Sequence, residues 1–289
     1  MDQNSSMQAL DHAFWLQPQA DNCLPVVHFV HGNSFPTGTY RMFLQQLTEH
    51  YQIRALEMHG HNPNYPVTDN WSELCKELIA SLEADQNKPV ILLGHSLGGM
   101  LSLMVAKMRP DLVRCVVMLD SPVVAGWRAG LVNLFKKLSL MLFVPPAKFS
   151  KKRRKSWSDK EEAYAHFASK EMFAIWPEQV LRDYIEFGTK PYPRGVTLRF
   201  KRGIETAIYC SLPHVIKEYC QLPFPVPIGF ICGTQSEECH QAGIYHTQQL
   251  VGENFMWIEG GHLYALESPL AAAQMAHAMI IKLLAKTKV

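Results

Sequence analysis

The stretch Val90-Ile91-Leu92-Leu93-Gly94-His95-Ser96-Leu97-Gly98-Gly99 joins a short apolar run to a helical pattern through a turn that contains one serine. The apolar run predicts a buried strand, and Leu97–Met108 has the spacing of a helix. G-x-S-x-G at such a junction is typical of a nucleophilic serine on a sharp turn, which small flanking residues allow to close. We expect Ser96 to expose its hydroxyl and Leu97 to direct its N–H at a reacting carbonyl. The alternative is a glycine-rich helix start that cradles a phosphate or binds nothing.

The same alternation of apolar runs and helical patterns extends along most of the chain. The predicted strands are Val26–Val30, Ile53–Met58, Val90–Leu93, Cys115–Leu119, Ile228–Cys232 and Phe255–Ile258. The predicted helices are Thr39–His50, Asn70–Asp85, Leu97–Met108, Gln241–Val251 and Pro269–Lys286. Nearly continuous apolar strands are typical of a parallel sheet that is covered on both faces. The order of elements therefore predicts an α/β doubly wound fold.

The alternation fails between residues 125 and 222. This stretch has helical patterns at 131–143, 159–173 and 178–187 but no convincing strand, so it predicts a helical insertion. It contains 18 Lys and Arg against 9 Asp and Glu, whereas the rest of the chain contains 10 against 17. The asymmetry indicates that the two regions face different surroundings. The basic run 151–155 is either a solvated loop or a surface for an anionic membrane or an acidic partner.

The composition excludes several classes of protein. A chain of 289 residues with 47% hydrophobic and 19% charged residues is neither fibrous nor disordered. No apolar run reaches about 18 residues, and Met1–Leu10 lacks the pattern of a secretory signal. Seven scattered cysteines without C-x-x-C indicate free thiols rather than disulfides or a zinc site. We therefore expect a cytoplasmic protein without metal, cofactor or nucleic-acid partner.

Two further motifs follow predicted strands. His31-Gly32-Asn33-Ser34-Phe35-Pro36 comes directly after the strand Val26–Val30. We expect the Asn33 N–H, with Ser34 as the alternate, to be a second donor to an oxyanion, although an ordinary turn remains open. Gly260-Gly261-His262 follows the last predicted strand. A histidine on a late loop can reach a serine and act as its general base.

These three motifs, in this order and at these spacings, resemble the α/β-hydrolase superfamily over residues 25–124 and 225–289. The resemblance implies a mostly parallel eight-stranded sheet with a helical cap inserted after the sixth strand. The domains implied are a core of residues 1–124 and 223–289 and a cap of residues 125–222. Ser96 would be the nucleophile, His262 the base, and Leu97 and Asn33 the oxyanion donors. A serine nucleophile argues against dehalogenase or epoxide hydrolase chemistry, because those relatives use an aspartate there.

The triad acid departs from the family pattern. The usual aspartate lies in a G-x-x-D loop after the seventh strand, and here that position holds Ser236. Asp120 directly follows the predicted strand Cys115–Leu119, where some family members, such as certain haloalkane dehalogenases, have their acid. Glu237 and Glu238 are the alternatives, and a Ser–His dyad is a further one. We take Asp120 as the predicted acid, because a carboxylate is needed to orient the imidazole.

The resemblance implies a serine hydrolase that cleaves a carboxylic ester of a small or medium acyl substrate through an acyl-enzyme. A thioesterase or lipase-like acyl hydrolase is the alternative, followed by a C–C bond hydrolase. A ligand-binding protein on the same scaffold, without catalysis, is a rival from another class. The apolar residues at 131–143 suit an acyl or aromatic substrate, although packing of the cap explains them as well.

Overall fold

The structure is a computed structural model that describes residues 13–16, 24–84 and 89–285, and its first part alternates strands with helices. The strands are β1 (Ala13–Leu16), β2 (Val26–Val30), β3 (Gln52–Leu56), β4 (Val90–His95) and β5 (Val113–Leu119). The helices are α1 (Arg41–Gln45), α2 (Ser72–Ala84) and α3 (Leu97–Met108), with 3-10 turns at Thr37–Tyr40, Asp69–Trp71 and Pro110–Leu112. The predicted elements in this part are present, with α1 much shorter than expected.

An insertion follows β5. Its helices are α4 (Trp127–Lys137), α5 (Ala147–Lys152), α6 (Lys160–Ala168), α7 (Glu171–Ala174), α8 (Glu178–Gly188), α9 (Arg202–Cys210) and α10 (Ile216–Tyr219), with a 3-10 turn at Met141–Phe143. Three short strands, β6 (Ser156–Trp157), β7 (Thr189–Tyr192) and β8 (Gly195–Leu198), form an antiparallel sheet in the order β6-β8-β7. The expectation of an insertion without strands is therefore wrong. These strands have two to four residues, and β7 is mostly exposed and contains Pro191, so no apolar run marks them.

The last part of the chain returns to the central sheet. It contains β9 (Ile228–Gly233), α11 (Glu237–Ala242), α12 (Tyr245–Val251), β10 (Phe255–Ile258), α13 (Tyr264–Glu267) and α14 (Pro269–Ala285). The single helix expected over 241–251 is wrong, because Gly243 adopts φ +74° and separates α11 from α12. No helix in the described ranges is long and apolar enough to cross a bilayer.

The central sheet has the order β1-β3-β2-β4-β5-β9-β10. All of its pairs are parallel except β1 with β3, which are antiparallel. The described residues form seven strands, where the resemblance implies eight, and the insertion follows the fifth of them along the chain. Because parallel strands end at one edge, the loops after β2, β4, β5, β9 and β10 meet there. The expected α/β fold is confirmed.

Helices cover both faces of the sheet, and the insertion shares the apolar core. One cluster joins Phe29 of β2 and Ile280 of α14 to insertion residues such as Tyr184. Asp183 of α8 accepts two hydrogen bonds from Arg41 of α1, at 3.1 Å and 2.5 Å. A bidentate pair of this kind is geometrically specific, and Asp183 is almost fully buried. Shared packing and this ion pair fix the insertion on the core, while its boundaries at 125 and 222 remain a prediction.

Six cysteines in the described residues are free thiols. Cys115 and Cys232 are buried in strands β5 and β9. Burial raises the pKa of the Cys115 thiol to about 12, so it is protonated and behaves as a small apolar side chain. Cys23 and the residues Met1–Leu10, which carry the expectation about a signal sequence, lie outside the described residues.

The turn between β4 and α3 depends on glycines because α3 begins against β2. A Cβ on Gly98 would lie 1.9 Å from the carbonyl oxygen of Val30, and one on Gly94 would lie 2.3 Å from that of Gly98. Neither contact is possible without moving backbone. Both glycines of the G-x-S-x-G motif are therefore required sterically, because the start of α3 lies too close to β2 and β4 for a side chain at either position.

Gly98→Ala is expected to lower the free energy of unfolding by more than about 3 kcal/mol or to prevent folding, because the clash is with backbone. Gly130→Ala is the matched control, since a Cβ on Gly130 in α4 meets nothing within 4 Å. That change should stabilise by about 0.5–1 kcal/mol through helix propensity. Urea unfolding followed by circular dichroism measures both. Equal stability of the two variants would contradict the steric explanation.

Candidate active site

Ser96 lies on the turn between β4 and α3 with φ 52° and ψ −116°. Positive φ is uncommon for a residue with a side chain and stores strain, which is typical of functional sites. The Ser96 N–H donates to the carbonyl of Leu119 at the end of β5, at 3.0 Å, and the Ser121 hydroxyl donates to the Ser96 carbonyl at 2.5 Å. Hydrogen bonds to the neighbouring strand and loop therefore hold the strained turn.

His262 lies on the loop after β10, and its ring lies within hydrogen-bond distance of both Ser96 and Asp120. Its Nε2 is 2.9 Å from Ser96 Oγ, and its Nδ1 is 2.7 Å from Asp120 Oδ2. A neutral imidazole that donates Nδ1–H to the carboxylate leaves Nε2 free to accept the serine proton. The structure thus brings Ser96, His262 and Asp120 into one hydrogen-bonded line.

Asp120 follows β5 and is fully buried, yet every acceptor position of its carboxylate has a donor. Oδ1 accepts from the Gly233 N–H at 2.8 Å and from the Cys239 thiol at 3.4 Å. Oδ2 accepts from the Ser236 hydroxyl at 2.5 Å as well as from His262. Ser236 occupies the position where the family usually has its aspartate, and its hydroxyl stabilises the carboxylate of Asp120.

The electrostatics of this pair follow from burial and hydrogen bonding. Burial raises the pKa of Asp120, but the hydrogen bond and charge of His262, with donors from Ser236 and Gly233, outweigh it and hold the pKa below its usual value. Burial lowers the pKa of His262, but the hydrogen bond to Asp120 and the nearby Glu238 raise it above 6.5 overall. An ionised Asp120 can therefore stabilise an imidazolium as it forms.

The two alternative acids lie elsewhere. Glu238 Oε2 is 3.6 Å from His262 Nδ1, beyond hydrogen-bond distance, and its side chain is half exposed. Glu237 is exposed in the first turn of α11, and none of the described contacts joins it to His262. Asp120 is the carboxylate with the shorter distance and the buried position, and Glu238 is a nearby charge.

A second relay positions the backbone of His262. Burial lowers the pKa of His95 to about 3, so its ring is neutral and has one N–H. Its Nε2 lies 2.9 Å from the His262 carbonyl, and its Nδ1 lies 2.7 Å from the Tyr40 hydroxyl. With Nε2–H donating to that carbonyl, Nδ1 accepts from Tyr40, whose oxygen accepts the Gly32 N–H at 3.3 Å. The His95 ring is therefore bonded to backbone that lies 167 residues away in the sequence.

The two predicted oxyanion donors follow neighbouring strands, Asn33 after β2 and Leu97 after β4, at the carboxyl edge of the sheet. Leu97 is the first residue of α3, where an N–H has no acceptor within the helix. Asn33 is buried after β2, and its side chain donates to the Glu205 carbonyl at 3.1 Å. No hydrogen bond among the described residues uses the backbone N–H of Asn33 or Leu97, so both remain available to a ligand. The Gly32 N–H, in contrast, is bound to Tyr40.

Two side-chain groups in the described residues are compact enough to bind a metal ion. One is Asp120 with Cys232 and Cys239, and the other is Asp120 with Glu238 and His262. Both depend on Asp120, whose carboxylate accepts four hydrogen bonds from the protein. A carboxylate offers about four acceptor positions, so a metal would have to displace donors that are already in place.

A cavity of about 430 Å³ opens beside Ser96 and His262, and the insertion forms most of its apolar wall. The apolar lining includes Trp71, Met100, Trp127, Leu131, Val132, Phe135, Met141, Val144, Ala147 and Leu212. Its polar lining, apart from the serine and histidine, includes Arg128, Tyr209, Glu238 and Gln241. The volume and the apolar walls are typical of a pocket for a small organic ligand.

Comparison with known proteins identifies the family. A sequence model described as "Alpha/beta hydrolase family" matches residues 29–274, which is most of the chain. The chain belongs to the α/β-hydrolase family. The matched region includes both the serine turn and the histidine loop.

Individual relatives of this chain are distant. It is 26% identical over 97 residues to a provisionally named esterase/lipase of Haemophilus influenzae, covering 33% of this chain and 34% of the relative. It is 29% identical over 108 residues to an sn-1-specific diacylglycerol lipase of Mus musculus, covering 36% and 35%. The matches thus span about a third of each relative. The crystal structure of E-2-(acetamidomethylene)succinate hydrolase has a TM-score of 0.73 at 19% identity, covering 93% of this chain and all of that one, which shows the shared fold.

Sequence reasoning did not single out Tyr40, Ser236 as a donor, or Glu267. The Glu267 carboxylate accepts the Gly261 N–H at 3.0 Å and so holds the glycine pair before His262. The sequence did contain a signal for Glu267, which lies five residues after the loop histidine and two residues before Pro269, the first residue of α14. Tyr40 gave no such signal, because its partner His95 is distant in sequence.

Asp120→Asn is expected to lower kcat for hydrolysis of a p-nitrophenyl ester on the order of 10⁴-fold. The amide keeps the shape but favours the wrong imidazole tautomer, as in the comparable serine protease variant. Glu237→Gln is the matched control and should change kcat less than about tenfold, as expected for a surface carboxylate. A collapse at Glu237 with tolerance at Asp120 would reverse the assignment.

Glu238→Gln is expected to move the acid limb of the kcat/KM profile to lower pH. A general base must be neutral, so activity is lost as pH falls through the pKa of His262, which lies above 6.5. Glu238 is one cause of that raised pKa, and its removal lowers it. The limb of Glu237→Gln should coincide with that of the unchanged protein. A limb that Glu238→Gln leaves in place would rule out this electrostatic role.

Proposed function

We propose that this protein is a serine hydrolase that cleaves a carboxylic ester of a small or medium acyl substrate through an acyl-enzyme intermediate. The observation that carries the proposal is the line from Ser96 Oγ through His262 to Asp120, with separations of 2.9 Å and 2.7 Å, beside an apolar cavity. Each distance lies within the range for a working nucleophile, base and orienting acid.

In the acylation step, His262 Nε2 takes the proton of Ser96 as Oγ attacks the ester carbonyl. The carbonyl oxygen becomes an oxyanion, and the N–H groups of Leu97 and Asn33 donate to it. The imidazolium, stabilised by Asp120, returns its proton to the alkoxide that leaves when the ester C–O bond breaks. Ser96 then carries the acyl group.

In the deacylation step, His262 takes a proton from water, and the hydroxide attacks the acyl carbonyl. The same two N–H groups stabilise the second oxyanion. Collapse of the intermediate breaks the bond to Ser96 Oγ, which recovers its proton from His262, and the free acid leaves.

The cavity supports an apolar acyl group rather than a polymer. Trp127, Leu131 and Phe135 of α4 form part of its wall, and a cavity of about 430 Å³ holds one small ligand. A lipase-like activity is the second candidate, because Trp127 and Leu131 also extend to the protein surface, where a lipid would arrive. Thioester and C–C bond cleavage use the same oxyanion chemistry and are separated from ester cleavage by a substrate panel.

Ser96→Ala is expected to lower kcat on p-nitrophenyl esters by on the order of 10⁴–10⁶, because the nucleophile and its base act as a unit. The variant should also lose covalent labelling by a fluorophosphonate probe, measured by intact mass. Ser169→Ala changes an exposed serine at the end of α6 and should retain both properties. His262→Ala should lose about as much activity as Ser96→Ala.

The rival class is a ligand-binding protein that keeps the scaffold without turnover. Absence of probe labelling on the unchanged protein would support that class and contradict the proposal. Retention of more than about a tenth of the unchanged turnover in Ser96→Ala would contradict the mechanism instead. A series of acyl chain lengths then measures how much of the apolar cavity the substrate fills.

A further inference from the structure

The cap has an exposed apolar surface that its own packing does not explain. Three residues of α4, Trp127, Leu131 and Leu134, and its C-cap residue Leu138 recur at the spacing of one helix face. All four are exposed, Trp127 by 67% and Leu138 by 57%. We call these four residues the apolar stripe. Single exposed apolar residues are ordinary, but a continuous set marks an interaction surface.

The surface continues beyond α4. Phe143, in the 3-10 turn after α4, is 71% exposed, and Phe149 of α5 is 66% exposed. The 3-10 turn packs against both α4 and α5, so these aromatic residues belong to the same part of the cap. Large aromatic side chains at a water-facing position are typical of segments that enter a lipid interface.

The same part of the chain is strongly basic. Residues 125–158, the basic segment, contain nine Lys and Arg and no Asp or Glu. Three of these cations are neutralised, because Lys136, Arg153 and Arg154 pair with Asp69, Glu205 and Glu162. The exposed lysines without an acidic partner in the described residues are Lys137, Lys148, Lys151, Lys152 and Lys155.

These observations identify one occupant. We propose that the apolar stripe, the two exposed phenylalanines and the unpaired lysines form a surface on which the cap docks to an anionic lipid bilayer. Apolar side chains enter the boundary between headgroups and acyl chains, and lysines beside them contact anionic headgroups. Exposed apolar side chains and unpaired lysines on one short segment together match the two layers of an anionic bilayer surface.

A second copy of the chain fits this surface poorly. A symmetric dimer would place the same patch of each copy against the other. The five unpaired lysines of one basic segment would then lie close to the five of its partner. Like charges held together at an interface are unfavourable, whereas an anionic bilayer supplies the opposite charge.

The docking surface borders the cavity that contains Ser96. Successive residues of a helix are rotated by about 100°, which places Arg128 and Phe135 beside the apolar stripe and Lys137 on its other side. Trp127 and Leu131 belong to both the apolar stripe and the cavity wall. Docking would therefore present the cavity to the bilayer, so that an ester dissolved in the lipid reaches Ser96 from the membrane. This delivery route rests on the proposed function, whereas the docking does not.

The experiment measures cosedimentation of the full chain with two kinds of vesicle, phosphatidylcholine alone and phosphatidylcholine mixed with phosphatidylglycerol. The Ser96→Ala background is used throughout, so that binding is measured without turnover. We expect binding to the anionic vesicles, little binding to the neutral ones, and loss of binding at about 1 M salt, where the Debye length is about 3 Å.

Two triple variants separate the apolar and the charged contributions. Leu138→Ser with Phe143→Ser and Phe149→Ser removes apolar contact, and Lys148→Gln with Lys151→Gln and Lys152→Gln removes charge. Each should weaken binding to anionic vesicles by at least about tenfold. None of the six residues lines the cavity, so with Ser96 restored, each variant should hydrolyse a water-soluble ester at an unchanged rate, which also shows that it is folded.

The controls change the same number of similar groups elsewhere. Leu222→Ser with Leu270→Ser and Ile281→Ser removes three exposed apolar side chains, and Lys170→Gln with Lys190→Gln and Lys217→Gln removes three exposed cations. Both controls should bind vesicles as the unchanged protein does. Binding that the controls weaken equally would overturn the proposal, because it would reflect total charge or apolarity rather than this surface.

Three further outcomes would overturn docking. The first is equal binding to neutral and anionic vesicles, and the second is full binding by the apolar variant, which would fit an acidic polymer instead of a bilayer. The third is a dimer, measured by light scattering, that the apolar variant dissociates, since this would assign the surface to a second copy. Absence of fluorophosphonate labelling on the unchanged protein would refute the proposed function and leave the vesicle result intact, so the two failures are distinguishable.

Discussion

Everything at this site depends on keeping the carboxylate of Asp120 ionised in a place that water does not reach. An unpaired buried charge would cost several kcal/mol, so the fold must supply donors for each lone pair. The donors come from two segments: Gly233 and Ser236 lie at the end of β9 and in the turn after it, and His262 lies on the loop after β10. Their positions are fixed in turn by the parallel strands that precede them, which is how the sheet order determines the chemistry of the site.

Much of this was readable from the sequence, and what was not readable has physical reasons. Apolar runs predict six strands of the sheet, because most of these strands are buried on both faces and are therefore apolar along their length. The small sheet of the cap was missed, since its strands have two to four residues and contain no apolar run. The strand at Ala13–Leu16 was missed as well, although it is as long as the predicted strand Phe255–Ile258. Ser96 and His262 stood out because glycines mark the tight backbone around them, a local requirement that sequence records directly.

The acid was harder because its assignment depends on distances between segments. Ser236, Glu237 and Glu238 are adjacent in sequence, yet one donates to Asp120, one is exposed, and one lies 3.6 Å from the histidine. Sequence spacing cannot distinguish such neighbours, because a helix that starts at Glu237 turns successive side chains in different directions. The cap posed the same problem, since its leucines suited burial and exposure equally until the packing was known.

The register of β4 and β5 has a mechanical consequence. Gly94 and His95 pair with Met118 and Leu119, and the Ser96 N–H is bonded to the Leu119 carbonyl, so the serine and the aspartate extend from one rigid ladder. His262, in contrast, is held by a loop through its own hydrogen bonds and the contact with His95. As the protein is warmed, the separation between serine and aspartate persists as long as the sheet does. We therefore expect warming to displace the His262 imidazole before the sheet opens, because loops open at a lower free energy than buried strands.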